Sequence, residues 1–138
     1  MLTERKFSIA NNTKSLENLH YLVETSCEDF NISNDSRFKI HLIVEEILSN
    51  TIKYGYNPYR SDEIEVEIHD YNTTVKIIIK DSADLYNPFI NSKPDTESDI
   101  NDRKLGGLGV HFIKNICKTY NYSSSNKGNI IEVEINKQ

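Results

Sequence analysis

Apolar residues Ile40, Ile43, Val44, Ile47 and Leu48 recur at the i, i+3, i+4, i+7, i+8 spacing, which is that of an amphipathic helix laying one stripe against a core. The spacing predicts a helix through Phe38 to Tyr56 (FKIHLIVEEILSNTIKYGY), opened by the capping residues Ser33, Asn34 and Asp35 and stopped by Gly55, with Asn57-Pro58 preventing its resumption. Leu16, Leu19, Tyr21, Leu22, Val23 and Cys27 predict an earlier helix behind the turn residues Asn11, Asn12 and Thr13. Val110, Ile113, Ile116, Cys117 and Tyr120 predict a later one. Strict alternation marks Glu63 to His69, with Ile64, Val66 and Ile68 on one face and Glu63, Glu65 and Glu67 on a wet one. With Thr73 to Lys80, across Asp70, Tyr71 and Asn72, it reads as an antiparallel hairpin. Lys6 to Ala10 reads as a short first strand. Tyr120 to Ser124 and Asn129 to Ile135 read as a closing strand pair turning near Lys127-Gly128. The polar run over about residues 87–105 is too long for a tight connection and too hydrophilic for a core element, so a mobile loop or lid is expected there.

Composition narrows the class. The 138 residues suit one domain spanning 1–138, and 37% hydrophobic with 27% charged residues describe a folded, soluble chain. A net charge of −5 provides no basic excess to neutralise nucleic-acid phosphates, so no direct nucleic-acid partner is expected. No apolar stretch has the length of a membrane span and MLTERKFSIA lacks the apolar core of a signal peptide, so a cytoplasmic protein without membrane contact is expected. Cys27 and Cys117 read as buried free thiols, and the four histidines have no ligand spacing.

Three segments carry candidate chemistry. On the long helix Glu46 and Asn50 stand four apart along the flank of the apolar stripe, and Lys53 continues that edge one turn later. A carboxylate that can accept a proton, an amide oxygen that can ligate Mg²⁺ and an ammonium suited to phosphate are the parts of a nucleotide site. The same residues would equally serve as the solvated face of a surface helix. Gly106-Gly107-Leu108-Gly109 enters the Val110 helix, where successive N–H groups and the helix dipole favour an anion. Glycine at such a junction can also serve geometry alone, and the run matches neither a Walker A loop nor a GxGxxG. Asp81 leaves a buried strand end, placed either to accept a hydrogen bond from a ligand or to act as a turn residue.

The order of these segments resembles the N, G1 and G2 boxes of the GHKL (Bergerat-fold) ATPases. The short chain, the Asn50-x-x-x-Tyr54-Gly55-Tyr56 ending and Tyr86-Asn87-Pro88 look most like the anti-sigma-factor serine kinases of the RsbW and SpoIIAB type. The spacing of Tyr122, Gly128 and Asn129 also resembles that of bacterial ATP-binding regulators. The resemblance implies an α/β (α+β) sandwich, a mixed and mostly antiparallel sheet with helices on one face and the nucleotide between helices and lid. It implies ATP and Mg²⁺ as cofactors. Asn50 would ligate Mg²⁺ and Glu46 would act as general base or water-positioning residue, while Lys53 would meet the phosphates. Asp81 would accept the adenine amino group and Gly106, Gly107, Leu108, Gly109 and Val110 would hold the triphosphate. Tyr54 and Tyr86 would flank the nucleotide. Ala83 and Leu85 stand where the family usually has glycine, so the backbone at Ala83 has less freedom to approach adenine. By resemblance the function is that of a serine kinase that binds a sigma factor and phosphorylates a STAS-type anti-anti-sigma partner, with a homodimer as an option. The alternatives are a binding module that sequesters its partner without phosphate transfer, and a plain α+β interaction domain.

Overall fold

Residues 2–57, 60–90 and 107–138 are described by a computed structural model. Strand β1 (Glu4–Ala10) leads into helix α1 (Ser15–Asp29) and then α2 (Asn34–Asn50). A π-helical turn (Thr51–Gly55) prolongs α2, and β2 (Glu63–Asp70), β3 (Thr74–Asp81), α3 (Gly107–Ile116), β4 (Thr119–Ser125) and β5 (Gly128–Asn136) follow. The strands form one sheet in the order β1-β2-β3-β5-β4. Every pairing is antiparallel, a stricter arrangement than the mostly antiparallel sheet expected.

Period-two alternation decides what each face of the sheet does. Ile64, Val66 and Ile68 of β2, Val75, Ile77 and Ile79 of β3, and Ile131, Val133 and Ile135 of β5 are buried in one cluster. Leu19, Val23 and Cys27 of α1, Ile40, Ile43, Val44, Ile47 and Leu48 of α2, and Ile113 of α3 belong to the same cluster. One layer of helices thus covers one face of the sheet. The opposite face is charged, yet Glu67 is buried there, against the expectation of a wet position. Lys80 Nζ lies 3.0 Å from one of its carboxylate oxygens and His69 Nε2 2.9 Å from the other, and their side chains cover it.

Caps fix the helix starts. The Ser33 hydroxyl accepts from Ser36 N at 3.2 Å, while Ser36 Oγ donates to Asn136 O at 2.8 Å and moors the start of α2 to the end of β5. Before α1, Asn12 Oδ1 accepts from both the backbone N and the hydroxyl of Ser15. Tyr120, expected at the end of the last helix, belongs to β4, because α3 stops at Ile116 and Lys118 N already bonds to Glu134 O of the sheet. Both cysteines are free; Cys27 is buried as expected, whereas Cys117 is only half-buried at the edge of the core, and burial pushes the Cys27 thiol up to about 12 and that of Cys117 up to about 11.

Gly128 opens β5 at φ 132°, and a Cβ there would lie 2.0 Å from Asp81 O and 2.7 Å from Ser82 Cα. The end of β3 and the start of β5 are packed backbone to backbone. Gly128→Ala is expected to cost at least ~2 kcal/mol in urea unfolding, from the disallowed φ alone; an unchanged midpoint would show that this approach is not needed.

Candidate functional site

The flank of α2 holds the first part of the site. Asn50 Nδ2 donates to Glu46 Oε1 at 3.2 Å, the i, i+4 contact that the helix period requires. An ionised carboxylate only accepts, so the amide nitrogen must face Glu46 and the amide oxygen must face away. That oxygen, Asn50 Oδ1, is buried and has no hydrogen-bond partner among the described residues. A buried carbonyl without a donor carries an uncompensated desolvation cost of ~1–3 kcal/mol, which a hard cation or an ordered water would offset. The oxygen donor type suits Mg²⁺. Glu46 keeps its second carboxylate oxygen for proton acceptance.

Lys53 and Tyr54 do not continue this edge as an α-helix would carry it. From Thr51 the hydrogen bonding changes to the i→i+5 pattern, so residues three apart no longer stack. Both side chains are exposed, and Lys53 makes no hydrogen bond or ion pair with Glu46 or Asn50 among the described residues. The π turn brings Gly55 against the end of β3 instead: Asp84 N donates to Gly55 O at 3.1 Å. Tyr56 is buried beside it, its hydroxyl accepting from Ser82 N at 3.2 Å, and burial pushes its pKa up.

Asp81 is the second part, buried at the end of β3. Its Oδ1 accepts from Ala83 N at 3.0 Å and from Asn129 Nδ2 at 2.8 Å. With both donors on one oxygen, Oδ2 is left for a ligand. Burial, chiefly, pushes the Asp81 pKa up, while the hydrogen bonds from Asn129 and Ala83 pull it down.

Asn129 is a site residue whose role was not assigned from sequence. It sits opposite Asp81 in the β3–β5 register. Its Nδ2 also reaches Asp84 O at 3.1 Å, and its Oδ1 accepts from Tyr86 N at 3.0 Å and Tyr122 OH at 2.5 Å. One amide thereby fixes the Asp81 carboxylate and the turn from Ala83 to Tyr86. The sequence signals for it are its place directly after Gly128 at a strand start and its spacing from Tyr122, neither of which assigns it a bond to Asp81. Tyr86 itself is anchored through its backbone while its ring is exposed.

Ala83 does not intrude on the open side of Asp81. Its φ is not positive, and its Cβ points at Gly55, where an added Cβ would sit 3.0 Å from it. A glycine on the helix side makes room for the methyl on the strand side. Gly55→Ala is therefore expected to destabilise the fold by ~1–3 kcal/mol, as overpacking does, and Ala83→Gly in the same chain should recover most of the loss. A double-mutant cycle by thermal unfolding reads this coupling, and strict additivity would deny it.

The third part is the start of α3. Gly107, Leu108, Gly109 and Val110 form its first turn, where backbone N–H groups have no intrahelical acceptor and attract anions. α3 packs on α2, the helix that bears Glu46 and Asn50. Residues 91–106, Gly106 among them and hence most of the expected lid, lie outside the described residues. The residues that lead into this segment pack on the rest of the fold: Pro88 and Phe89 are buried, Lys114 Nζ donates to Phe89 O at 2.6 Å and the Phe89 ring lies 4.9 Å from that of Tyr120.

Comparison with known proteins bears on the family and the fold. A family model described as histidine kinase-like ATPase domain matches residues 9–135. No curated protein matches the chain. Among solved structures, the chain is similar to the Acinetobacter baumannii histidine kinase AdeS, with a TM-score of 0.54 and 17% identity over 100% of this chain and 69% of that one, a likeness of fold. No helix among the described residues is long and apolar enough to cross a membrane.

Proposed function

The chain belongs to the histidine kinase-like ATPase domain family, and on that premise we propose that it is an ATP-binding regulatory protein that transfers phosphate to a serine of a protein partner. The supporting observation is Asn50 Oδ1, a buried acceptor left without a donor beside a carboxylate. In this reading Asn50 Oδ1 would hold Mg²⁺, which when bound would supply charge neutralisation at the phosphates. Glu46 takes the proton of the acceptor hydroxyl on its second carboxylate oxygen. Asp81 Oδ2 accepts the amino group of adenine, held in position by Asn129 and the Ala83 N–H. The first turn of α3 meets the anionic groups with its free N–H donors. Lys53 supplies a mobile positive charge from the exposed π turn, and Tyr54 and Tyr86 provide apolar walls. A sigma factor and a STAS-type anti-anti-sigma protein are the partners that the sequence resemblance favours, in a cytoplasmic setting, and a homodimer is compatible with it.

Asn50→Ala tests the reading. Calorimetric titration should show that the parent binds Mg-ATP at least roughly tenfold more tightly than the variant, ~1.4 kcal/mol, and that added Mg²⁺ no longer helps the variant. Unchanged Mg²⁺ dependence would remove Asn50 from the metal site.

A further inference from the structure

We propose that the cleft between α1 and α2 is a docking groove for a basic amphipathic helix of a protein partner. The surface is separate from Glu46, Asn50 and Asp81, and the inference does not rest on ATP binding. Glu17, His20, Tyr21 and Glu24 follow one another along one face of α1 at helical spacing, and Phe38, His41 and Glu45 along the facing side of α2. The two helices meet where the His20 and His41 rings stack, 4.4 Å between centroids. The cleft there has a volume of about 270 Å³, with Leu16, Leu19, Val23 and Val44 as its apolar floor.

The charge on its rim is uncompensated. Glu24 has both carboxylate oxygens occupied, by His41 Nε2 at 2.7 Å and by Arg37 Nη1 at 3.0 Å, and these hydrogen bonds, that of His41 first, hold its pKa down. Glu17 on α1 and Glu45 on α2, which line the cleft, have neither an ion pair nor a side-chain hydrogen bond among the described residues. An apolar floor between two unpaired carboxylates is complementary to a Lys or Arg side chain, whose alkyl stem covers the floor while its head meets the rim. The volume is below the ~300–1,000 Å³ of small-molecule pockets, which suits an anchoring side chain of a larger partner. Tyr21 and Phe38 extend the stripe; they are 67% and 69% exposed, and aromatic side chains of that kind are the usual anchors of an interface. An elongated stripe over a helix pair is what an amphipathic helix covers with its i, i+3, i+4 and i+7 positions.

The test uses the parent protein and a designed amphipathic Leu–Arg helix, with its Leu–Glu counterpart as control, in ¹⁵N-detected titrations. Shifts should cluster at residues 17–24 and 38–45 with the basic helix and be absent with the acidic one. Glu17→Lys with Glu45→Lys should weaken binding roughly tenfold, ~1.4 kcal/mol. Glu63→Lys with Glu65→Lys, an equal charge change on exposed positions of β2, should leave it within about twofold. Equal weakening by both pairs would reduce the effect to net charge and overturn the groove, as would binding of the acidic helix. Sedimentation showing a parent dimer that the Glu17/Glu45 pair dissolves would assign the surface to a second copy instead.

Discussion

ATP is expected to bind on the order of 10⁴ more tightly than GTP, because a site built to receive an N–H rejects the analogue that lacks it by about that factor. Asp81 is the reader. Its Oδ1 is taken by Ala83 N and Asn129 Nδ2, so the oxygen that faces a base is an acceptor only, and guanine would present a carbonyl to it. Asp81→Asn should leave the carbonyl of the new amide on those two donors and turn its NH₂ outward. The preference for ATP should then collapse, with GTP binding improved in absolute terms; competition titrations measure both, and equal affinities in the parent would remove Asp81 as the reader. Acid should act on the same residue. Burial holds the Asp81 pKa above its ordinary 3.8, so protonation, and with it loss of ATP affinity, should set in at a higher pH than for an exposed aspartate. The sign for stability is opposite to that of a salt-bridged carboxylate: the fold favours the neutral form, so the contribution is fully present below the unfolded pKa and is lost as pH rises through the folded one.

Glu46→Gln is expected to lower phosphate transfer to a cognate serine-bearing partner by roughly 10² to 10⁴, the usual weight of general-base assistance. The change preserves volume and helix propensity and removes only the carboxylate. Asn50 can still donate to the side-chain oxygen of the glutamine, so the contact that orients its free Oδ1 survives. Mg-ATP affinity and partner capture should therefore persist, and charge stabilisation at the phosphates should account for the residual rate. Transfer at the parental rate would show that Glu46 is misassigned. A parent that binds ATP and its partner but transfers nothing would favour the sequestering module.

The fold was largely legible because alternation and the 3.6-residue period are burial patterns, and burial is what the sheet and helices obey. Ile64, Val66 and Ile68 had to face one way, and Ile40, Ile43, Val44, Ile47 and Leu48 had to cover a core. The Glu46–Asn50 contact followed from the same period. Lys53 shows where that reasoning ends: a period extrapolated past Asn50 cannot see the π turn, whose last residue, Gly55, accepts from Asp84 N beyond the end of β3. Alternation assigns Glu67 a face and not its cover, which Lys80 and His69 supply from neighbouring positions. The role of Asn129 is not legible in the sequence because its bonds to Asp81 and Asp84 span more than forty positions of the chain, a relation that only the β3–β5 register creates.

The most direct test of the account is a calorimetric titration of the parent protein with ATP, with and without Mg²⁺, repeated on Asn50→Ala. The account predicts saturable binding at one site per chain, stronger with Mg²⁺ in the parent and indifferent to Mg²⁺ in the variant. Absence of ATP binding by the folded parent in the presence of Mg²⁺ would contradict it.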